Sequence, residues 1–431
     1  MDYEFDIAVL ITRGQMLTKP GHARLYQVAR RKARTVLWFV GSANLARDTR
    51  NPFTFAEREA MILNALSDMA QEEAHAGREA ETVESRMEDH GALVLDYMRQ
   101  THVIALNDTG PFGKNEWIAQ VQQHVKNATK VLRPRVTLIG NIRDATSEYL
   151  TWFPQWPYTP VEDNGVNATA LRKAYFAGNV NFRDTSWSDN GYAWTDLLYP
   201  STIDFLERFR DKPEYAYLLN QKKAETAYRE TWGEGPFIAV DAVIECAGHV
   251  VRIERGGLEG FGMKALPGGF FNAGESLLFA AAREGVEETA IFIRPEDYPA
   301  FDAWLAACRA YVKALSAWKW KLARKREEAA EPKPVEPAMP DFVMAAIRQL
   351  MSHFVGSPQV FDDPHRSRRA HIVSHAHHFR LPDPPLGHGL PRLRGSDDAA
   401  AAHWDPISEI DPSDTFEDHA FIVDRMLSLN A

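Results

Sequence analysis

The sequence predicts an α/β protein of two domains, and three observations predict it. Short apolar runs alternate with amphipathic stretches through the first half, the tetrapeptide GEGP at residues 233–236 punctuates the chain, and a second set of strand-like runs follows it. At 431 residues, with 45% apolar and 11% aromatic composition, the chain is too long for one ordinary core and can fill two or three.

In chain order, residues 6–11 (DIAVLI) form an apolar run that ends at a polar, Gly-containing loop, and an amphipathic stretch over residues 22–32 follows. This reads as strand, loop, helix. Residues 35–41 (TVLWFVG), 102–106 and 135–140 (RVTLIG) are further buried-strand candidates separated by helical patterning, which implies a parallel sheet. The acidic stretch 71–90, with Glu72, Glu73, Glu79, Glu81, Glu84, Glu88 and Asp89, reads as a solvated helical excursion. Residues 202–232 have helical periodicity and many charges. The expected division is a first domain over residues 1–185, a helical connection over 186–234 and a second domain over 235–431.

The second domain opens with runs at 237–244 and 250–253 joined through Ala247-Gly248, a hairpin pattern. From about residue 295 to 350 the texture turns to Ala, Trp, Lys and Arg with a Pro-rich break at 331–340, which reads as an inserted helical element. Strand-like texture returns over 371–381, a Pro/Gly-rich loop follows, and a last amphipathic helix is expected over 415–429.

Charge and cysteine usage narrow the function. A net charge of -10 argues against a general nucleic-acid binder, because phosphate backbones recruit excess Lys and Arg. Cys246 and Cys308 show no CxxC or Cys/His ligand spacing, so both read as free thiols. No run approaches the ~20 apolar residues that span a bilayer, and the opening MDYE has no basic and apolar leader pattern. The expectation is a cytoplasmic protein without a membrane partner.

The strongest signal lies at residues 268–291, GGFFNAGESLLFAAAREGVEETAI. Gly269, Glu275, Arg283, Glu284, Glu287 and Glu288 fall at the spacing G-x5-E-x7-R-E-x-x-E-E. A chance match in a chain of this size is on the order of one in ten thousand, so the pattern is treated as signal. Glu284, Glu287 and Glu288 stand at i, i+3 and i+4 and project from one helix face. Three such carboxylates repel one another unless cations sit among them. Mg²⁺ prefers carboxylate oxygens and water, bridges diphosphates and activates a water for attack on phosphorus. Glu275 lies one loop earlier, and Arg283 can hold a carboxylate in place by a bidentate pair.

This segment resembles the Nudix hydrolase box. The resemblance implies a loop-helix-loop on an α/β/α sandwich, Mg²⁺ or Mn²⁺ held by Glu284, Glu287 and Glu288, and hydrolysis of a nucleoside diphosphate linked to another group. Two positions depart from the box: Gly285 replaces an apolar residue and Ala290 replaces Gly.

The rest of the chain resembles the bifunctional nicotinamide mononucleotide adenylyltransferases fused to a Nudix ADP-ribose pyrophosphatase. The resemblance rests on residues 41–62 (GSANLARDTRNPFTFAEREAMI), 143–156 (RDATSEYLTWFPQW) and 167–178 (NATALRKAYFAG) in the first half. It continues through 241–255 (DAVIECAGHVVRIER), 264–270 (KALPGGF), 361–379 (FDDPHRSRRAHIVSHAHHF) and 416–419 (FEDH). Each block is weak alone; their order is specific. The implied fold is α/β, a Rossmann-like nucleotidyltransferase domain followed by a Nudix sandwich with a helical insertion.

By the same resemblance, Gly21 and His22 donate to ATP phosphates at a helix N-terminus and Arg172 neutralises triphosphate charge, with Thr169 capping its helix. Arg47, Asn51 and the adjoining Pro52-Phe53 line the nicotinamide nucleotide pocket, while Arg255, Lys264, Gly268 and Gly269 contact the diphosphate substrate of the second domain. The expected partners are small nucleotides: ADP-ribose, nicotinamide mononucleotide, ATP and NAD. A homodimer is in keeping with the family.

The first loop departs from its family. The pattern Gly-Arg-Phe-x-Pro-x-His-x-Gly-His is here TRGQMLTKPGH at residues 12–22, with Lys19 at the first His and one residue added. Lys19 can hold a phosphate as a point charge. The family's Gly-His-x-Lys-Asp becomes GNIRD at 140–144. An active adenylyltransferase, an inactive scaffold beside a working hydrolase, and a non-catalytic sensor of ADP-ribose or NAD all stay open at this point.

Three weaker signals remain. His371, His375 and His377 share a strand face that suits either metal or ordinary sheet packing, with His378 beside them. WKWKLARKREE at 318–328 reads as an amphipathic helix at an interface. Asp397 or Asp398 in the GSDD turn is a candidate extra ligand or base, although a turn rich in Asp needs no such reason.

Overall fold

The computed structural model describes residues 3–75, 83–141, 145–162, 168–178, 180–182, 193–272, 274–324 and 332–429. The chain divides into two compact units, Met1–Lys222 and Lys223–Ala431.

The first unit is a parallel sheet. Its elements are β1 (Phe5–Thr12), α1 (Arg24–Lys32), β2 (Ala33–Val40), α2 (Phe55–His75), α3 (Val83–Gln100), β3 (Thr101–Ala105), α4 (Lys114–Asn127), β4 (Val136–Gly140), β5 (Tyr158–Pro160) and α5 (Ala168–Tyr175). After these come α6 (Trp194–Leu197), α7 (Pro200–Phe209) and α8 (Pro213–Trp232), and the division between the units falls inside α8. The strand order is β3-β2-β1-β4-β5, all parallel, which is Rossmann-like. Both faces are buried, and the period of two explains how. Ala8 and Leu10 with Trp38 and Val40 pack on one side, and Ile7, Val9 and Ile11 with Leu37 and Phe39 pack on the other. The order reverses between β1 and β4, so the crevice beyond their carboxyl ends is where such sheets bind ligands.

The second unit is built on a mixed sheet of β6 (Phe237–Cys246), β7 (His249–Arg255), β8 (Lys264–Ala265), β9 (Gly268–Phe270), β10 (Phe354–Phe361), β11 (Ile372–Arg380) and β12 (Ala399–Pro406). Its main path runs β10-β11-β6-β7-β12, with β8 on β7 and β9 on β6. The Ala247-Gly248 hairpin is present, with φ of 46° and 74° at its two central residues, the left-handed pair of a type I′ turn. Helices α9 (Leu277–Thr289), α10 (Tyr298–Arg324) and α11 (Asp341–Met351) bury one face, and α12 (His419–Leu429) covers the other.

The inserted element is thus α10 and α11. Phe301, Trp304 and Leu305 of α10 sit in the core of this unit, so that helix packs on its own domain rather than serving only as an interface. Residues 325–328 of the aromatic and basic segment, like Glu79, Glu81, Arg143 and Asp144, lie outside the described residues. Sequence reading placed no strand at β12, whose Ala run favours helix; pairing with β7 from Ala399↔Arg255 to Pro406↔His249 overrides that preference. Among the described residues, no helix is long and apolar enough to cross a membrane.

Candidate active site

Helix α9 carries the glutamates. Ser276 caps its start by accepting from the Phe279 N–H at 3.2 Å, and Ala290 ends it in the left-handed region at φ 47°. Ala280, Ala281, Ala282 and Gly285 let the helix lie close to the sheet and α11; a Cβ on Gly285 would stand 3.0 Å from Leu350 Cδ2 and 3.2 Å from Ile244 Cδ1. Close docking on that side turns Glu284, Glu287 and Glu288 toward a cavity of about 1100 Å³.

The Arg283 guanidinium organises the acids. It forks onto Glu275, Nε to Oε2 at 3.1 Å and Nη2 to Oε1 at 2.9 Å, while Nη1 reaches Glu284 Oε1 at 2.9 Å and Glu287 Oε2 at 2.8 Å. Glu288 accepts instead from the Gly268 N–H at 2.9 Å. The two glycines are steric necessities. A Cβ on Gly269 would lie 2.6 Å from Glu284 Oε1, and one on Gly268 would lie 2.4 Å from the Val240 carbonyl.

One guanidinium does not balance this much buried acid. Burial, then the neighbouring Glu284, raises the Glu287 carboxyl to about 8, and burial raises Glu284 and Glu288 as well. Asp397, itself raised by burial, adds its charge to the same group. Among the described residues, no three His, Cys, Asp or Glu side chains converge as a finished metal cage, since Glu284 and Glu287 face Arg283 and Glu288 faces Gly268. The donor chemistry nonetheless fits Mg²⁺ or Mn²⁺. Hard carboxylate oxygens short of positive charge suit a cation that keeps several waters and takes few protein ligands.

A basic and aromatic wall closes another side of the cavity. The Arg255 guanidinium lies 4.1 Å from the Phe416 ring centre and that of Arg369 lies 5.5 Å from the same ring and 5.8 Å from Tyr228. Burial, then repulsion from Arg369, lowers the proton affinity of Arg255. Segments 361–379 and 416–419 meet here: Arg366 forks onto Asp418 at 2.7 and 2.9 Å, Ser367 donates to Glu417 at 2.6 Å, and His419 Nδ1 accepts from the Leu266 N–H at 2.9 Å. Sequence reasoning saw these blocks but assigned no site role to Arg369, Phe416 or Tyr228. Lys264 does not join the cavity lining; it is held by Asp405 at 3.1 Å and Asp414 at 3.6 Å.

The histidines on β11 do not form a metal set. His371 contacts the Asp362 carbonyl at 3.2 Å, His377 Nδ1 the His375 carbonyl at 3.0 Å, and His378 the Glu245 carboxylate at 2.7 Å. Cys246 and Cys308 are free thiols.

In the first unit the altered loop enters α1 through a π-helical turn, Lys19–Ala23, closed by the Ala23 N–H on the Thr18 carbonyl at 3.1 Å. A single π turn absorbs one extra residue without displacing the helix behind it. The Thr18 N–H donates to His22 Nδ1 at 3.3 Å, which assigns the ring proton to Nε2, and the Thr18 hydroxyl accepts from the His22 N–H at 3.4 Å. Gly21 makes this possible, because a Cβ there would lie 2.6 Å from Thr18 Oγ1. Lys19 is drawn aside, paired with Glu72 at 2.9 Å and 5.0 Å from the Tyr199 ring centre.

The remaining expected residues are tied into the protein. Arg47 bonds Glu57 at 2.8 Å and the Pro52 carbonyl, and Asn51 accepts from buried Gln15 at 3.4 Å. Thr169 does not cap α5; the helix already begins at Ala168, and its hydroxyl accepts from Arg172 at 3.1 Å. Burial, then the nearby Arg13, lowers the Arg172 guanidinium to about 10. The nearby Asp48 carboxylate acts in the opposite direction.

No protein-family model matches the chain. It is 29% identical over 226 residues, 52% of this chain and 96% of the relative, to a nicotinamide/nicotinic acid mononucleotide adenylyltransferase of Acinetobacter baylyi. A crystal structure of a bifunctional NMN adenylyltransferase/ADP ribose pyrophosphatase from Francisella tularensis superposes with a TM-score of 0.70 at 24% identity, covering 98% of this chain and 99% of that one. A structure of such a protein from the same organism complexed with AMP and a manganese ion gives 0.70 at 23% identity over 99% of each chain. At this identity the match establishes a shared fold across both units.

Proposed function

We propose that the chain belongs to the bifunctional nicotinamide mononucleotide adenylyltransferase/ADP-ribose pyrophosphatase family, and that its second unit hydrolyses ADP-ribose to AMP and a sugar phosphate. The observation that carries this reading is the Arg283-pinned set Glu275, Glu284, Glu287 and Glu288 facing a cavity whose other wall is Arg255, Arg369 and Phe416. Mg²⁺ or Mn²⁺ held by Glu284, Glu287 and Glu288 supplies Lewis-acid polarisation of the diphosphate and a more acidic water. Arg255 and Arg369 neutralise diphosphate charge, and the Phe416 and Tyr228 rings offer stacking faces for the adenine. Arg283 keeps Glu275, Glu284 and Glu287 oriented between turnovers.

The first unit joins nicotinamide mononucleotide to the adenylyl group of ATP, forming NAD and releasing pyrophosphate. Support comes from the π turn, which keeps Gly21 and His22 at a helix N-terminus despite the added residue, and from the Arg13 and Arg172 pair. In-line attack on the α-phosphorus needs positioning and charge stabilisation, which backbone N–H groups, His22 Nε2 and Arg172 supply. The Lys19 to Glu72 pair favours a second reading, a nucleotide-binding scaffold without turnover. Product analysis with Mg²⁺ separates these: AMP from ADP-ribose and NAD from nicotinamide mononucleotide plus ATP are expected. AMP alone supports the scaffold reading, and ADP-ribose bound but left whole supports a sensor.

A further inference from the structure

The inserted helix α10 ties itself to the loop between β11 and β12, which docks on the C-terminal end of α9. That loop is pinned to the last turn of α9 by three bonds: the Arg394 N–H to the Thr289 carbonyl at 2.9 Å, the Ser396 N–H to the Glu288 carbonyl at 3.1 Å, and the Ser396 hydroxyl to the Glu287 carbonyl at 2.6 Å. Satisfying these helix-end carbonyls fixes the chain so that the next residue, Asp397, faces the cavity from a left-handed backbone at φ 54°. Its charge is felt by Glu284, Glu287 and Glu288 alike.

Helix α10 then holds the loop at two points. Asp302 takes the Arg394 guanidinium at 2.6 and 3.1 Å, and Arg309 reaches Asp397 Oδ1 at 2.7 Å. Asp302 and Arg309 are seven residues apart, two helical turns, so both point from one face. Buried Phe301, Trp304 and Leu305 anchor the same helix to the core. Arg309 and Lys313, one turn further on, line the same cavity as the glutamates.

We infer that Arg309 is a positioning residue of the hydrolase site, holding the Asp397 carboxylate at the mouth of the glutamate cluster so that it orients the water and cation bound there. This rests on the hydrolase reading of the second unit. Arg309 is half exposed, and such pairs contribute little to stability, so its removal leaves the fold intact. Two opposite effects follow from charge and geometry. Without Arg309 the cluster loses a positive charge and attracts a divalent cation more strongly, while Asp397 loses its fixed direction.

The test is Mn²⁺ titration of the full chain by electron paramagnetic resonance, beside steady-state hydrolysis of ADP-ribose. Arg309→Ala is expected to bind Mn²⁺ about threefold to tenfold tighter and to lose about tenfold in kcat with KM little changed. Arg309→Lys restores most of both, and Asp397→Asn binds Mn²⁺ more weakly. Unchanged Mn²⁺ affinity and kcat in Arg309→Ala would overturn the inference alone, as would a parallel fall in both with a lowered Tm. A wild-type chain that binds no Mn²⁺ would overturn the hydrolase reading and this inference with it.

Discussion

The two candidate sites depart in different ways from the motifs they resemble. On α9 the chemistry is carried by side chains at i, i+3 and i+4, so their company on one face depends only on the helix. In the loop at residues 12–22 the proposed chemistry rests on backbone N–H groups and one imidazole, whose placement depends on the whole path of the chain. The π turn Lys19–Ala23 in that path is a place where one extra residue can be absorbed. A side-chain site tolerates change around it while its spacing holds; a backbone site tolerates change in side chains while its path holds.

The sharpest way to separate the sites is Glu288→Gln, which keeps the shape and removes the charge. Hydrolysis of ADP-ribose should fall by about a thousandfold or more, with NAD formation untouched. Equal loss of both activities would mean that the two units do not work independently. The converse variant is His22→Ala. It should cost NAD formation about a hundredfold, as loss of one preorganised donor does, and leave AMP release from ADP-ribose at the wild-type rate. No effect on either product would assign the first unit to scaffolding.

Much of this was legible in the sequence because it is local. Four of the five strands of the first sheet and the Ala247-Gly248 turn follow from periods and spacings of a few residues, whereas the short β5 and the choice of Glu275 as the partner of Arg283 do not. What was not legible depends on distant partners. Lys264 reads as a substrate contact until Asp405 and Asp414, more than a hundred positions away, claim it. Arg309 meets Asp397 across 88 positions, and nothing near either residue announces the pair. Gly269 was legible as part of a motif, but its reason is the 2.6 Å approach of Glu284.

The tolerance of α9 has a limit at Gly285. Giving it the apolar side chain the motif usually carries, as Gly285→Leu, pushes atoms into Leu350 and Ile244, which already stand 3.0 and 3.2 Å from a Cβ. Overpacking of this kind should cost about 1–3 kcal/mol in denaturant unfolding, more than the helix propensity gained. Unchanged stability would mean that α11 yields freely.

A smaller effect probes the charge of the site. Glu287 is raised from 4.5 to about 8 by burial and Glu284, so its contribution to stability is full below 4.5 and lost as pH rises through about 8. A cation among the carboxylates offsets that loss. Saturating Mg²⁺ should therefore raise Tm more at about pH 8 than at about pH 6. Buried His377, His378 and His419, all lowered by burial, weaken the fold in acid with or without Mg²⁺, so the difference between the two melts isolates the glutamates. Equal gains at the two pH values would count against a cation held by Glu287.

The smallest effect is expected at Ala290, the other departure in the motif. Ala290→Gly relieves a left-handed alanine, worth about 1–2 kcal/mol. It also frees the unfolded chain by about 0.4–1 kcal/mol and gives up a buried methyl worth about 0.8 kcal/mol. These nearly cancel, so the free energy of unfolding should move by less than about 0.8 kcal/mol in either direction. That cancellation is the physical reason an alanine can stand at the end of the catalytic helix: the strain at φ 47° is met by burial of its methyl, 1% exposed, against the core. A gain above about 1 kcal/mol would show instead that the strain goes uncompensated, at a real cost in stability.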